Sequence, residues 1–354
     1  MSILDQPDLC AALDPKSMMS LLQSFPEQIQ AAWKAGREIT PAKPVGTRVL
    51  IVAGLGGSAI GGDLARSVSG AQLRVPLIVN RDYDLPGFAD ADSLVFACSY
   101  SGNTEETLSA YEQARRAKAS IVCITSGGKL ESMAKADGCP VISLPGGLPP
   151  RAALGYSLFG LLSAMQALQF IDNLDQPVGE TLALLTRQRD RFDPANPLST
   201  NPAKALADAL KGRIIAIYAS SGIMDAAAYR WRSQIAENAK NLAFHHVLPE
   251  MNHNELVGWK CPEEALRNLG VVMLRDREDH PQVQRRFELT GELIAEKAGV
   301  LREVWSEGDS LLARILSIIY LGDYVSVYLA YLNDTDPTPV RVIDYLKQKL
   351  GGSR

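Results

Sequence analysis

A hydroxyl-rich stretch, SYSGNTEET at residues 99–107, directly follows a continuous apolar run. Ser99, Ser101 and Thr104 each offer a hydroxyl group, and Gly102 allows the backbone to approach a ligand closely. A helix that begins near Thr104 needs only one of these hydroxyls as its N-terminal cap. Since a phosphate monoester has three terminal oxygens to satisfy, the stretch predicts a cradle for a phosphorylated small molecule.

A second loop of small residues, GLGGSAIGG at residues 54–62, lies between another apolar run and a helical pattern. Gly57 and Ser58 fall where the first N–H groups of that helix are unpaired, and a phosphate is favoured at such a position. The glycine spacing also fits a dinucleotide fingerprint. Because a dinucleotide fold has no need of a separate hydroxyl cradle, the two loops together favour a phosphate monoester.

Arg151 lies at a rigid junction in PGGLPPRAALGYS, where two prolines fix the backbone and a helical pattern follows. A guanidinium held in this way can face an anionic ligand or a developing oxyanion. A solvated surface arginine is an equally good interpretation of the local sequence. Neither phosphate loop contains a lysine, so the charge for a bound phosphate must come from helix dipoles or from a distant arginine.

Titratable groups are dense in QIAENAKNLAFHHVLPEMNHNELVGW, residues 234–259, which contains Glu237 and three of the four histidines. No HxxxH or HExxH spacing is present, and the adjacent His245 and His246 point to opposite faces of a predicted strand, so no metal site is expected. His253 lies in the polar turn MNHNE, where its neighbours can orient it. That setting suits a general acid or base, although a loop histidine without a role is the more common case.

The composition is that of an ordinary globular protein with a slightly acidic balance. The chain has 354 residues, of which 46% are hydrophobic and 21% charged, and this length suits two domains. Its 36 Lys and Arg against 40 Asp and Glu give a net charge of −4, which lacks the basic field of a nucleic-acid-binding protein. We therefore expect no nucleic-acid partner.

Secretion and membrane insertion are not expected from the sequence. The stretch MSILDQPDLC carries acidic residues where a signal peptide needs apolar ones. The apolar segments 158–171 and 311–332 are too short or carry charges for a membrane span. The five cysteines form no CxxC pair, which is typical of reduced thiols, so we expect a cytoplasmic protein without a membrane partner.

Residues 49–144 alternate short apolar runs with helical patterns, which is typical of a doubly wound α/β domain. The apolar runs are continuous, as expected for parallel strands that are covered on both faces. Strands are predicted at Val49–Ala53, Val75–Val79, Leu94–Cys98, Ile121–Ile124 and Val141–Leu144. Helices are predicted at Gly57–Val68, Thr104–Lys118, Lys129–Ala136 and 152–171.

The same pattern begins again after a polar, proline-containing segment at 172–202, part of which is predicted to be helical at Glu180–Arg189. Three pairs of segments match in order: 212–233 with 47–67, NLGVVMLRD with DSLVFACSY, and 299–332 with 139–168. The sequence therefore predicts an internal duplication, with one α/β domain at 1–173 and a second at 174–354. The second copy has the charged LRDREDHPQ in place of the hydroxyl loop, so only the first is expected to bind the phosphate.

Five motifs occur in the order found in a known protein family. GLGGSAIGGD, SYSGNTEET, PPRAALGYSL, QIAENAKNLAF and PEMNHNELVGW together resemble the bifunctional phosphoglucose/phosphomannose isomerases, which are built from two sugar isomerase (SIS) domains. The resemblance runs from near Ser20 to the C-terminus, and the C-terminal part matches more loosely. It implies a fold of two SIS-type, doubly wound parallel-sheet domains.

The resemblance also implies a role for each motif. The substrate's phosphate would be bound by the two loops, at Gly57, Ser58, Ser99, Ser101 and Thr104. Glu237 would be the base that moves a proton between C1 and C2 of the sugar, and Arg151 would stabilise the enediolate. A carboxylate and a fixed guanidinium are the residue types that this chemistry needs.

Ring opening would fall to His253, which in the family enters the site from the other subunit of a homodimer. A lysine near the C-terminus would assist it, and of Lys347 and Lys349 we select Lys347. The family attributes the space for the C2 epimer to small hydroxyl residues of the C-terminal region. Thr335 and Thr338 are both candidates for that role.

The implied activity is the interconversion of glucose 6-phosphate and fructose 6-phosphate, and of mannose 6-phosphate and fructose 6-phosphate, without a cofactor or a metal. It would serve glycolysis and gluconeogenesis. One alternative is a non-catalytic SIS-domain sensor of sugar phosphates, which would not need Glu237, His253 and Arg151 together. Others are a nicotinamide-dependent enzyme that uses the glycine loop, and amino-sugar chemistry, although nothing in the sequence resembles an amidotransferase domain.

Overall fold

Two parallel β-sheets organise the computed structural model, which describes residues 2–37, 44 and 46–351. Every strand pairing within both sheets is parallel. The strands of the first sheet are β1 (Val49–Ala53), β2 (Leu77–Asn80), β3 (Ser93–Ser99), β4 (Ser120–Thr125) and β5 (Val141–Ser143). Those of the second are β6 (Ile214–Ser220), β7 (Ala243–Leu248), β8 (Leu269–Arg275) and β9 (Val300–Trp305).

Helices cover these sheets and precede the first strand. In chain order they are α1 (Pro7–Leu13), α2 (Met18–Gln23), α3 (Phe25–Arg37), α4 (Gly56–Ser69), α5 (Glu105–Arg116), α6 (Gly128–Ala136), α7 (Leu154–Ala167), α8 (Asp175–Phe192), α9 (Pro202–Leu210), α10 (Asp225–Ala239), α11 (Glu255–Gly258), α12 (Glu263–Arg267), α13 (Pro281–Ile294), α14 (Leu311–Leu332) and α15 (Arg341–Gly351). Short 3₁₀ turns lie at Ile3–Asp5, Pro150–Ala152 and Glu250–His253.

The five strands predicted for the first domain are all present, with small shifts at their ends. The largest shift is at β2, which begins at Leu77 and not at Val75. Pro76 lies between the two positions, and a proline has no N–H to donate to a neighbouring strand. The helix expected at Glu180–Arg189 is longer, because α8 extends by one turn in each direction.

The two sheets confirm the duplication predicted from the sequence. The first has the order β2-β1-β3-β4-β5 and the second β7-β6-β8-β9, so the first four strands of each domain take equivalent places. One of the predicted correspondences is different in the structure. Residues 299–332 were matched with the segment that contains β5, but β9 pairs with β8 and so takes the place of β4. The second sheet has no described strand equivalent to β5.

The boundary between residues 173 and 174 separates the two sheets, but the N-terminal segment packs against the second domain. The hydroxyl of Tyr320, on α14, donates to the carbonyl of Leu22 at 3.1 Å. The hydroxyl of Tyr331 donates to Asp14 at 3.0 Å. The helices before β1 therefore pack against both domains, α3 against α7 and α2 against α14, and the division at 173 remains a prediction about the chain's folding units.

Helix α14 is long and apolar enough to cross a membrane by composition, yet 94% of its most apolar window is buried inside the protein. It packs against α8, α9 and α10. Its apolar surface is thus covered by the protein's own helices, as in the core helix of a two-layer domain.

Close packing of α10 on α14 fixes the position of α10, the helix that carries Glu237. Gly322 of α14 faces the buried indole of Trp231, and a Cβ at this position would lie 2.3 Å from the indole ring. The indole Nε1–H donates to the carbonyl of Ile318 at 3.0 Å, which holds the ring in place. Only glycine lets the two helices approach this closely.

Replacement of Gly322 by alanine is therefore expected to lower the free energy of unfolding by about 1–3 kcal/mol, because the rigid indole must move. Urea unfolding followed by circular dichroism measures the change. Gly179 provides the matched control, since it lies in a helix with open space where a Cβ would be. Gly179→Ala should raise the stability by about 0.5–1 kcal/mol. Equal stability of wild type and Gly322→Ala would contradict the packing described here.

Candidate active site

The two predicted phosphate loops meet at the carboxyl edge of the first sheet. The chain passes from β1 to β2 on one side and then crosses to β3 on the other side of β1, so the gap between β1 and β3 is the point where a ligand is expected. Gly54 directly follows β1 and lies so close to β3 that a Cβ there would be 2.8 Å from the carbonyl oxygen of Cys98. Gly57 and Ser58 form the first turn of α4 directly above this contact.

The hydroxyl loop has a fixed shape. Ser99 is buried, and its hydroxyl lies 2.8 Å from that of Thr104. Thr104 occupies the N-cap position of α5 without making a side-chain cap, so capping does not account for its hydroxyl. Gly102 has φ of +67° and lies against the carbonyl of Gly127, where any Cβ would clash. The loop after β3 therefore packs against Gly127 and Gly128, which follow β4, and its Ser101 is exposed.

Arg151 joins this edge to the second domain. It lies in the 3₁₀ turn Pro150–Ala152, which contacts the first turn of α4: a Cβ on Gly57 would be 2.9 Å from the carbonyl oxygen of Pro150. The side chain of Arg151 is only 7% exposed. The interpretation of Arg151 as a solvated surface residue is thus wrong, and the charged group is held inside the protein.

Three acceptors from the second domain surround the Arg151 guanidinium. Nε donates to Oδ1 of Asn238 at 2.6 Å. Nη2 donates to the carbonyl oxygens of Pro337 and Thr338, both at 2.7 Å. The remaining nitrogen, Nη1, lies 3.6 Å from Oε2 of Glu237. The structure therefore brings the predicted arginine and the predicted base together, although they are far apart in the sequence.

Glu237 lies in the last turn of α10, with its carboxylate about one third exposed. It lines a cavity of about 720 Å³ together with Lys240, Thr335, Asp336 and the first residues of α15. A larger cavity of about 860 Å³, near the amino ends of β1 and β2, contains none of the predicted site residues. The carboxylate is thus accessible from the cavity, whereas its arginine partner is enclosed.

Two cations share this region. Burial lowers the pKa of the Arg151 guanidinium, and the carboxylate of Glu237 opposes this effect. Burial likewise lowers the pKa of Lys240, and the positive charge of Arg151 lowers it further. The Lys240 ammonium donates to the carbonyl oxygen of Glu237 at 2.5 Å and to that of Pro337 at 3.1 Å. The cation of Lys240 therefore fastens the end of α10 to the segment that precedes α15.

A buried ion pair supports the arginine from behind. Nη2 and Nε of Arg230 bind the carboxylate of Asp323 at 2.7 and 3.0 Å, and both side chains are 4% exposed. Nη2 of Arg230 also donates to the backbone carbonyl of Arg151 at 3.0 Å. Gln234 donates to the same carboxylate at 3.0 Å. Burial raises the pKa of the Asp323 carboxyl and Arg230 opposes the rise, so the charge of each partner depends on the other.

Known proteins resemble this chain over nearly its whole length. Residues 199–350 match the family described as bacterial phospho-glucose isomerase C-terminal SIS domain. The bifunctional phosphoglucose/phosphomannose isomerase of Caldicellulosiruptor bescii is 46% identical over 334 residues, which cover 94% of this chain and 98% of that one. The relative from Aquifex aeolicus is 35% identical, covering 95% and 98%. The chain belongs to the bifunctional phosphoglucose/phosphomannose isomerase family.

Solved structures confirm the fold of this family member. A glucose-6-phosphate isomerase-like protein from Thermus thermophilus matches with a TM-score of 0.65 at 20% identity, covering 98% of this chain and 99% of that one. The C-terminal domain of a glucosamine-fructose-6-phosphate aminotransferase from Francisella tularensis matches with a TM-score of 0.64 at 16% identity, covering 90% and 95%. The predicted architecture of two SIS-type domains is therefore correct.

His253 and Lys347 lie away from Glu237 within one chain. Glu237 is close to the amino end of β7, whereas His253 is exposed in the 3₁₀ turn that follows the carboxyl end. The six residues of β7 separate the two ends by about 16 Å. Lys347 is exposed on α15, beyond the residues of that helix that line the cavity.

The neighbouring histidines of β7 have separate partners, as expected from their opposite faces. Nδ1 of His246 lies 2.7 Å from Glu255, and Nε2 of His245 lies 3.8 Å from Asp225. Burial lowers the pKa of His245. Within the described ranges, no group of three or more His, Cys, Asp or Glu side chains is arranged to hold a metal ion.

Sequence reasoning missed the residues that hold Arg151 in place. Arg230, Gln234 and Asn238 are spaced four apart, so they lie on one face of α10, and all three are buried. Asp323 and Ser326, three apart, form the matching face of α14. Buried polar residues repeated at helical spacing were the signal that could have revealed this interface before the structure was known.

Removing Asp323 should leave the Arg230 guanidinium buried without its counterion. We expect Asp323→Ala to lower the free energy of unfolding by about 3–5 kcal/mol. Glu263→Ala is the control, because the pair Glu263–Arg267 is more than two-thirds exposed and is worth at most about 1 kcal/mol. Chemical denaturation of both variants compares the two free energies of unfolding. Equal decreases in the two variants would show that the buried pair of Arg230 stabilises the protein no more than an exposed pair does.

Proposed function

We propose that the protein interconverts glucose 6-phosphate and fructose 6-phosphate, and mannose 6-phosphate and fructose 6-phosphate. One observation carries the proposal. The backbone of the turn that contains Arg151 lies against Gly57 of the first domain, and the enclosed guanidinium has Nη1 3.6 Å from the carboxylate of Glu237 in the second. A sensor that only bound a sugar phosphate would need the loops but not a buried cation beside a solvent-accessible carboxylate.

The phosphate is proposed to bind at the carboxyl edge of the first sheet. A phosphate dianion needs hydrogen-bond donors. Backbone N–H groups in the first turn of α4 can only donate, and the hydroxyls of the loop after β3 can turn to donate. The residues are those predicted from the sequence: Gly57, Ser58, Ser99, Ser101 and Thr104. Gly57 contacts the turn that contains Arg151. This contact supports a site in which the phosphate and the carbons that react, C1 and C2 of the sugar, are bound close to each other.

Proton transfer is assigned to Glu237. Its carboxylate is accessible from the cavity and can take a proton from C1 of the open-chain ketose, then return a proton at C2. The cis-enediolate that forms between these steps carries negative charge, and Nη1 of Arg151 is the guanidinium nitrogen placed to stabilise it. Return of the proton to either face of C2 gives the glucose or the mannose ester. Hydrogen moves within one molecule, so no external oxidant or reductant is required.

Ring opening is assigned to His253 of a second copy in a homodimer. Within one chain β7 lies between His253 and Glu237, so a partner is the simplest source of an imidazole at the cavity. The exposed apolar residues Val342, Tyr345 and Leu346 of α15 and Leu242 beside the cavity offer surface for such a partner.

Lys347 is retained as the lysine that assists His253, because the Lys349 ammonium lies over the ring of Tyr345. Thr335 lines the cavity, and the hydroxyl of Thr338 is buried without a partner among the described residues. Both remain candidates for the residue that makes room for the C2 epimer. We further propose a cytoplasmic enzyme of glycolysis and gluconeogenesis that needs no cofactor and has no nucleic-acid or membrane partner.

A coupled assay tests the activity directly. Purified protein with fructose 6-phosphate and no added metal is expected to produce both glucose 6-phosphate and mannose 6-phosphate, each detected by its own dehydrogenase-linked reaction. Glu237→Gln keeps the shape of the side chain but removes the base, so kcat should fall about 10²- to 10⁴-fold. Binding of fructose 6-phosphate, measured by calorimetry, should stay near that of wild type.

Glu264→Gln serves as the control, since this carboxylate is exposed on α12. It should leave kcat unchanged. Persistent turnover in Glu237→Gln would show that another group is the base. Production of neither aldose by the wild type, with fructose 6-phosphate still bound, would favour the sensor.

Mixing two inactive variants tests whether His253 crosses between subunits. Glu237→Gln and His253→Gln homodimers should each be inactive, but a heterodimer contains one site with both groups intact. Unfolding and refolding an equal mixture should restore about a quarter of the wild-type activity, since half of the dimers are then mixed. No recovery, with dimers present by light scattering, would place His253 in the site of its own chain, and an active His253→Gln homodimer would place it outside the site.

A further inference from the structure

The geometry of Arg151 leaves only part of its guanidinium for a ligand. An arginine has five N–H donors in a fixed plane. Three of the five are already used, one from Nε to Asn238 and two from Nη2 to the carbonyls of Pro337 and Thr338. The two N–H groups of Nη1 remain, on the side of Glu237. Whatever fixes the rotation of this plane therefore decides whether a donor faces the reacting carbons.

Asn238 is the one side chain among these three acceptors, and its orientation is determined by its neighbours. It is fully buried and directly follows Glu237 in α10. Its Nδ2 donates to Oγ of Ser326 at 2.9 Å, while the Ser326 hydroxyl donates to the carbonyl of Asp323 at 2.6 Å. Because the Ser326 hydroxyl donates its only proton to that carbonyl, it can only accept a hydrogen bond from Asn238. The amide oxygen must then face Nε of Arg151.

We propose that Asn238 is a positioning residue, which holds the Arg151 guanidinium so that Nη1 faces Glu237 and the cavity. The kinetic consequences rest on the proposed isomerase function, but the geometric claim does not. The Arg230 side chain donates to the backbone carbonyl of Arg151 and holds its main chain, and Asn238 holds the guanidinium at the other end. Both come from one face of α10, the helix that also carries the base, so arginine and base move together.

The charged groups around the site set how a change at Asn238 will act. Arg151 and Lys240 are close to Glu237, and Asp336 influences both of these cations. Arg341 and Asp334 line the same cavity as Glu237. Arg230, paired with Asp323, adds a third positive charge behind Arg151. A new carboxylate at position 238 would therefore lie against Nε of Arg151, while Glu237 faces Nη1 of the same guanidinium.

Two substitutions separate position from charge. Asn238→Ala removes the acceptor of Nε, and we expect kcat for fructose 6-phosphate to fall about 10- to 100-fold at every pH while KM changes little, because the phosphate loops are untouched. Asn238→Asp keeps an acceptor of the same shape, so part of the lost kcat should return on the alkaline plateau. Its negative charge disfavours the ionised form of the neighbouring base, so the acid limb of kcat/KM should move to higher pH.

Ser326→Ala is the matched control. It removes the other hydrogen-bond partner of Asn238 within the same buried interface but leaves the bond to Arg151 possible. Its kcat should stay close to that of wild type even though its stability falls. If Ser326→Ala and Asn238→Ala lower kcat equally, Asn238 has only a general packing role and the proposal is wrong.

A chemical measurement tests the geometry without using the activity. Phenylglyoxal modifies arginine, and mass spectrometry of the peptide that contains Arg151 gives the rate at this one residue. Modification should be slow in wild type, Asn238→Asp and Ser326→Ala, and several-fold faster in Asn238→Ala. An unchanged rate in Asn238→Ala would overturn the positioning role. Should the wild type prove not to isomerise hexose phosphates, the proposed function fails while these rates still decide the role of Asn238.

Discussion

A buried guanidinium that belongs to the first half of the chain and must be satisfied by acceptors from the second half is the constraint on which the site depends. An unpaired charge inside a protein costs several kcal/mol, so Arg151 can be enclosed only if acceptors are brought to it. The acceptors come from α10 and from the segment between α14 and α15, while the residue itself belongs to the first domain. The requirement therefore ties the two domains and the C-terminal segment into one arrangement.

The duplicated fold gives each half a different task. The carboxyl edge of the first sheet presents the hydroxyls of Ser99, Ser101 and Thr104 beside the first turn of α4, and we propose that the phosphate binds there. At the equivalent edge of the second sheet, Asp276 is completely buried and is held by Arg314 at 3.0 Å and by the Ser306 hydroxyl at 2.8 Å. That edge already contains its own carboxylate. In our proposal the second half accordingly contributes a base from the end of a helix and leaves the phosphate to the first half.

Helix α14 supports the proposed site by holding α10 in place. Its apolar length fills the core of the second domain, its glycine lets α10 approach, and two of its polar residues, Asp323 and Ser326, face the polar face of α10. The side-chain hydrogen bonds of Asp323 and Ser326 with α10 lie where α10 supports Arg151. A core helix that was apolar throughout would pack equally well but would leave Arg230 and Asn238 without partners.

The sequence by itself determined the class of fold, the two small-residue loops that we propose bind the phosphate, and the residue types of the proposed site. Continuous apolar runs, small-residue turns and the repeat of both are local patterns, and β1, β3, α4 and α5 appear close to where those patterns place them. Motif order was enough to identify the family. Each of these features depends on residues that are near one another in the chain.

Tertiary structure alone decided which residues meet. Whether Arg151 is solvated or buried depends on acceptors more than eighty residues away, and no local pattern contains that information. The same is true of the pairing of β9 with β8, since a strand's own sequence does not specify its neighbour. The separation of His253 from Glu237 by the length of β7 also follows from the fold, because residues only sixteen apart in the chain can lie at opposite ends of a strand.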